Sequence, residues 1–214
     1  EALYLTLSHV VAGQTETLPL ERLVGRVLAE DVLARVDCPS VSASRKDGFA
    51  VVAADLTRAD EKNPVRLEVL GSLSAGDHRQ QAIHRGQTVR VTTGAPLPDG
   101  ADAVLSEEFC RQDSDAINAF NTADAGRNIL QQGRDIRKED AIAARGVKLT
   151  PALVGLLAAA GLAAAEVYQY PKVAVIATGD EVVAPGHSLR KGQLYASNMT
   201  ELCACLSQLG LPYV

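Results

Sequence analysis

Long apolar runs are missing from this 214-residue chain. A bilayer-spanning helix needs about 20 consecutive apolar residues, and the longest candidate, 153–165, is alanine-rich and interrupted by Gly161. No apolar segment of a secretory leader stands at the start, so a cytoplasmic protein is expected. Methionine occurs once, at 199, and the natural start is expected upstream of Glu1. A cationic surplus is missing too: 21 Lys and Arg stand against 26 Asp and Glu, a formal net charge of -5. Surfaces for nucleic acid or anionic lipid need a basic stripe that neutralises phosphates, so neither partner is expected. An anionic substrate would have to meet locally placed donors or a bound cation.

Cysteine is scarce and unpatterned. Cys38, Cys110, Cys203 and Cys205 contain no C-x-x-C pair and no zinc or disulfide spacing. Residues two apart on a helix point roughly 200° from each other, so Cys203 and Cys205 are poorly placed to share a metal. All four are expected as small buried apolar residues. His9, His78, His84 and His187 are scattered without ligand spacing and are expected on surfaces or loops.

What is present is enough apolar material to fold, 47% hydrophobic residues with 22% charged, and no disorder signature. Leu20, Leu23, Val24, Val27 and Leu28 recur at helical spacing and predict a helix with one buried face. Leu3, Leu7, Val10 and Val11 fit the same period, although Leu3, Leu5 and Leu7 also alternate as a strand would; a helix is the expectation there. From Cys38 the grammar changes: a Pro/Ser-rich turn at 38–44 leads into short apolar runs at 49–53, 65–70, 88–92 and 103–105, separated by turn residues. That spacing predicts a small β module inserted into a helical one. Thr150, Pro151 and Gly161 then sit at the N-cap, first-turn and C-cap positions of a helix. A β-branched run at 173–176 predicts a buried parallel strand. Asn198 and Glu201 form a capping-box pattern opening a helix that Gly210 and Pro212 end, and 211–214 begins another strand. One β-α unit cannot cover its own faces and edge, so a fragment of a longer parallel sheet is expected.

Three segments carry chemistry: Ser44-Arg45-Lys46-Asp47-Gly48, Thr92 to Val104 (92–104), and Thr178-Gly179-Asp180-Glu181. Each is a loop rich in glycine with hydroxyl or acidic residues, where backbone amides and hydroxyls suit tetrahedral oxyanions. Carboxylates in the same loops would repel an anion unless a hard divalent cation lies between them. Taken singly, Asp-Gly at 47–48 and 99–100 is ordinary turn chemistry, and Thr-Gly-Asp after a strand can equally cap a helix.

The order of the segments says more. Asp47-Gly48-Phe49-Ala50, the block 93–104, Gly126-Arg127-Asn128-Ile129 with Gly133-Arg134-Asp135-Ile136, the block 171–181, and Gly192-Gln193 with Ser197-Asn198 occur in sequence along nearly the whole chain. In this the chain resembles the molybdopterin molybdotransferase family, the type of bacterial MoeA and the gephyrin E domain. The resemblance implies a multidomain α/β plus β protein: a mixed helical domain over 1–44 and 127–170, an inserted small β domain over 45–126, and an incomplete Rossmann-like three-layer α/β domain from 171 to 214. It also implies a final β domain beyond this chain.

The implied activity inserts molybdenum from molybdate into adenylylated molybdopterin with release of AMP, assisted by Mg²⁺. By position, Asp47, Thr93, Asp135 and Glu181 are implied as catalytic residues. Thr178, Gly179 and Ser197 are implied as pterin-cofactor contacts, and Asp180 as a weaker cation contact. A homodimer is implied, with other proteins of cofactor biosynthesis as further partners. Departures from the family pattern are Arg45 and Lys46 before Asp47, Leu130 where the family has Arg, and Arg134 where it has Glu. They leave two alternatives beside the enzyme: a noncatalytic pterin-binding or scaffold paralogue, and a tungstate-handling variant.

Overall fold

The computed structural model describes residues 2–214, the side chains of Ala2 and Thr6 excepted. Short strands dominate it. In chain order the elements are α1 (Ala2–Ser8), β1 (Thr15–Pro19), β2 (Val32–Leu33), β3 (Ala43–Ser44), β4 (Gly48–Val51), β5 (Val65–Leu73), β6 (Gln87–Val91) and β7 (Ala103–Ser106). They continue with β8 (Cys110–Asp113), β9 (Ala116–Ala119), β10 (Ile129–Leu130), β11 (Ala141–Ala143), α2 (Pro151–Ala159), β12 (Ala164–Tyr168), β13 (Val182–Val183), β14 (Leu194–Tyr195) and α3 (Ser197–Gln208). The chain divides into two compact units, one of Leu33–Asp140 with Ala159–Gly161, the other of the residues up to Val32, Ala141–Ala158 and Leu162–Val214.

The first unit is built on a six-stranded sheet in the order β7-β4-β6-β5-β9-β8. Neighbours run antiparallel except β5 and β6, which are parallel. All four residues of β4 are buried. Phe49 and Val51 join a cluster with Leu67, Leu105 and Ile117. Ala50, on the opposite face, joins Leu73, Val89, Val91 and Val104. A strand covered on both faces is a continuous apolar run rather than an alternation, which is why β4 and β7 stand out in the sequence. The polar hairpin of β8 and β9 did not. Its outer strand is an edge strand carrying exposed Arg111 and Asp113, and charged residues there discourage pairing with other chains.

In the second unit β1 pairs antiparallel with β12, from Thr15 opposite Tyr168 to Pro19 opposite Ala164. The helix expected over 20–28 does not form. Leu20–Arg22 makes one 3-10 turn, Gly25 adopts a φ of 84°, and the residues after it are bonded on both sides. Leu28 N–H donates to Val147 O at 3.0 Å, Leu149 N–H to Arg26 O at 2.8 Å, and Tyr168 N–H to Val27 O at 2.9 Å. Long-range pairing outweighs a weak local preference. Leu23 and Leu28 are buried as the pattern required, but Val24 is 53% exposed. Arg26, 9% exposed, stacks over the Tyr170 ring at 4.3 Å and pairs with Glu16.

Helix α1 takes up Leu3 and Leu7, while Val10 and Val11 fall beyond its end. The capping expected for α2 is realised: Leu153 N–H donates to Thr150 Oγ1 at 3.2 Å, and Leu162 N–H reaches back to Leu157 O at 3.1 Å past Gly161. The Asn198–Glu201 capping box does not form, because α3 begins at Ser197 with Ala196 rather than Asn198 at its N-cap, and it has no side-chain cap bond. Its end follows expectation, with Leu211 N–H on Leu206 O at 2.9 Å after Gly210. Val173 pairs in parallel with Tyr213, so the parallel direction holds, but Ile176 is 80% exposed and the run is not buried. Strands outnumber helices, so the helical share expected for 1–44 and 127–170 is smaller than periodicity suggests.

Full burial fails for the cysteines: Cys38, Cys110 and Cys203 are half-buried and Cys205 is exposed, all free. Burial, with Glu107 adding, pushes the Cys110 thiol up to about 12; a thiol so held is a poor nucleophile. The four histidines are exposed, as expected.

A Cβ on Gly48 would lie 2.1 Å from the Leu105 carbonyl oxygen. Gly48→Ala is therefore expected to lower unfolding stability by about 2–3 kcal/mol through overpacking. Gly155, inside α2 with nothing near its missing Cβ, gives the opposite: Gly155→Ala raises stability by about 0.5–1 kcal/mol. Urea denaturation of both variants checks the pair.

Candidate functional site

Antiparallel pairing of β4 with β6 sets Gly48 opposite Val91. The same register carries the residue before Gly48 alongside those after Val91. Asp47 and Thr93 meet there: Asp47 Oδ1 accepts the Thr93 N–H at 2.7 Å and the Thr93 hydroxyl at 2.9 Å. These bonds, the backbone one first, hold the Asp47 carboxyl below its ordinary value, with partial desolvation opposing and Arg90 adding a smaller lowering. Arg90 itself pairs with Glu107 at 2.8 Å, whose N–H donates to Asp47 O at 3.2 Å.

The turn between β3 and β4 is anchored from below. Asn128, at a φ of 59°, donates through Nδ2 to Val104 O at 2.9 Å, and its own carbonyl accepts the Arg45 N–H at 2.8 Å. The Arg45 and Lys46 side chains are exposed. Two exposed cations thus directly precede Asp47 in the chain, a composition suited to an anionic ligand of phosphate or oxyanion type.

Asp135 is exposed in the same unit, its N–H donating to Cys38 O at 3.0 Å. No hydrogen bond joins its side chain to Asp47 or Thr93 among the described residues. Its loop is held by Asp37, which sequence reasoning passed over. Asp37 accepts the Lys138 N–H at 2.8 Å and the Gln132 side-chain amide at 2.7 Å, and these bonds lower its carboxyl in that order. Arg90 and Glu107 were likewise missed. Nothing in a lone charge on a strand or a Glu-Glu pair marks them out before the register is known.

The remaining sequence-derived residues belong to the second unit. Thr178 and Ser197 come together, with Asn198 and Tyr195, around a cavity of about 230 Å³. It is lined by the segment 175–178 and by the start of α3, where side chains leave the first amides uncapped. Free helix amides favour anions. Gly179, Asp180 and Glu181 do not line it. Glu181 curls back over the preceding turn, so that a Cβ on Gly179 would stand 2.7 Å from both its carboxylate oxygens. Asp180 is exposed, and among the described residues no three metal-capable side chains cluster.

Residues 1–161 match the family model for the MoeA N-terminal region, domains I and II. The chain belongs to this MoeA family. It is 35% identical over 197 residues to the molybdopterin molybdenumtransferase of Haemophilus influenzae, covering 92% of this chain and 48% of that protein. It is also 35% identical over 202 residues to the molybdopterin molybdenumtransferase of Bacillus subtilis, covering 92% and 47%. A solved molybdopterin biosynthesis MoeA protein from Pyrococcus horikosii superposes with a TM-score of 0.91 at 36% identity, over 100% of this chain and 55% of that one. The chain thus spans about half the length of the curated relatives it matches. Against the family pattern, Leu130 is half-buried opposite Ala43 in the β10–β3 ladder, and Arg134 is exposed.

Because Asp47's folded value is depressed, its contribution to stability is present above the ordinary carboxylate pKa of 3.8 and is lost as pH falls through the lower folded value. Thr93→Val keeps the N–H and deletes the hydroxyl. Its expected outcome is an Asp47 titration moved part of the way back up, read by carboxyl-carbon NMR. An unchanged titration would show that the hydroxyl does not hold the carboxylate.

Proposed function

We propose that this chain supplies the N-terminal part of a molybdopterin molybdotransferase, an enzyme that inserts molybdenum from molybdate into adenylylated molybdopterin with release of AMP. The observation that carries the reading is the Asp47–Thr93 pair, set in a chain of this family. The relatives carry the name of that transferase. Domain boundaries of 1–44 with 127–170, 45–126 and 171–214 belong to the same proposal, as do a homodimer and a cytoplasmic setting.

Mg²⁺ usually takes one or two carboxylates, several waters and substrate phosphates rather than an all-protein cage. The donors present fit that demand. Asp47 commits Oδ1 to Thr93 and leaves Oδ2 without a hydrogen-bond partner among the described residues. In the other unit, taken by itself, Glu181 and, as a lesser donor, Asp180 are exposed carboxylates. Bound at Asp47, the cation would neutralise charge on the phosphoanhydride.

The protein's own groups divide the work. Asp47, kept ionised by Thr93, orients a cation or a water beside the anhydride phosphorus. Arg45 and Lys46 draw in the anionic nucleotide. Thr178 and Ser197 supply hydroxyl and amide donors to the pterin phosphate or the molybdate oxyanion, and holding the oxyanion beside the dithiolene sulfurs replaces a rare encounter with a positioned one. Asp135 stands ready as a second acidic group on the Asp37-held loop.

In the full-length protein, AMP release from adenylylated molybdopterin is expected to require molybdate and Mg²⁺. Asp47→Asn and Glu181→Ala are each expected to slow it by at least about 10²-fold. Correctly folded protein that binds the pterin but shows no molybdate-stimulated AMP release would overturn the reading in favour of a noncatalytic scaffold. Competition between molybdate and tungstate in the same assay identifies a tungstate-handling variant.

A further inference from the structure

Asp47 and Thr93 lie on two separate loops, and the bonds between them explain only the last step of their approach. The β4–β6 register brings the loops near each other, and one buried residue at the end of β3 ties them together. Ser44 is 2% exposed. Its hydroxyl donates to Lys46 O at 2.6 Å and accepts the Lys46 N–H at 3.3 Å, which closes the turn immediately before Asp47. Its backbone grips the other loop: Ser44 N–H donates to Ala95 O at 2.9 Å, and Ser44 O accepts the Gly94 N–H at 2.8 Å. Ile129 pairs with it on the remaining side.

We propose that Ser44 is a positioning residue: its side chain sets the Asp47 loop and its backbone sets the Thr93 loop, so that the carboxylate meets the Thr93 donors. It touches no substrate and acts through Asp47. The idea rests on the assignment of Asp47 to the reaction, but its structural half does not, because it predicts the geometry of Asp47 whatever that residue does.

A merely structural hydroxyl would behave differently, and the same sheet contains one. Thr88 is fully buried and donates its hydroxyl to Ala50 O at 2.7 Å, with no bond to either loop. The experiment compares Ser44→Ala with Thr88→Val in the full-length protein, following hydrogen exchange of the Thr93 amide that Asp47 engages. Ser44→Ala is expected to speed exchange of that amide, because the carboxylate no longer meets it, while Thr88→Val leaves it protected. AMP release by Ser44→Ala should fall by ~10²-fold through kcat, with KM little changed.

Thr93 amide protection in Ser44→Ala identical to the parent's overturns the proposal. So does an equal loss of protection in Thr88→Val, which would make the effect a general loosening of the sheet. Should Ser44→Ala fail to give a native spectrum, Ser44→Cys carries the same test, with a smaller loss of protection expected from its weaker donor. Lost protection in a protein whose parent releases no AMP refutes the proposed reaction and leaves the positioning role standing.

Discussion

Gly48 is the constraint on which the candidate site depends. It is paired on one side with Val91 and on the other with Ser106, so close to β7 that no side chain fits between it and the Leu105 carbonyl. A strand held that tightly on both edges has one register. A slip of one residue would exchange Phe49 and Val51 for Ala50 between the two apolar clusters. With register fixed, the residues flanking the strand are fixed too, and Asp47 is delivered to Thr93 without any long-range packing of its own.

The electrostatics follow from that delivery. An exposed carboxylate in water has no reason to depart from its ordinary value; this one does because two donors from a single threonine reach one of its oxygens. The second oxygen is left for a ligand. A group that stays charged while half of its acceptor capacity is already spent is a good director of a hydrated cation or a water and a poor proton donor near neutrality. Asp37 repeats the device on the neighbouring loop, accepting a backbone and a side-chain donor to hold the turn that presents Asp135. The unit therefore uses buried strand register for coarse placement and carboxylate hydrogen bonds for fine placement.

Much of this was legible in the residues. The apolar runs of β4 and β7 are visible because both faces are covered. The cap pattern of Thr150 and Gly161 is visible because capping is local chemistry. Asp47 and Thr93 stood out as members of ordered motifs. The failures share a cause as well. Leu20 to Leu28 keeps helical spacing, yet the residues after Gly25 are claimed by the distant segment 147–149 and by β12, and no local count reveals partners more than a hundred residues away. The Asn198 box failed because α3 starts one residue earlier than its best capping side chain. Asp37, Arg90 and Glu107 carry no motif, and their roles exist only once the ladder brings other loops to them.

The central claim is that the Thr93 backbone amide, in an exposed loop, is engaged by the ionised Asp47 carboxylate. Amide hydrogen exchange at Thr93 measures it directly. The account predicts protection of that amide in the parent at a pH where Asp47 is charged, and marked loss of protection in Asp47→Ala, with the β6 amides unaffected. Exchange at Thr93 as fast as in an unstructured loop, or protection that survives Asp47→Ala, would contradict it.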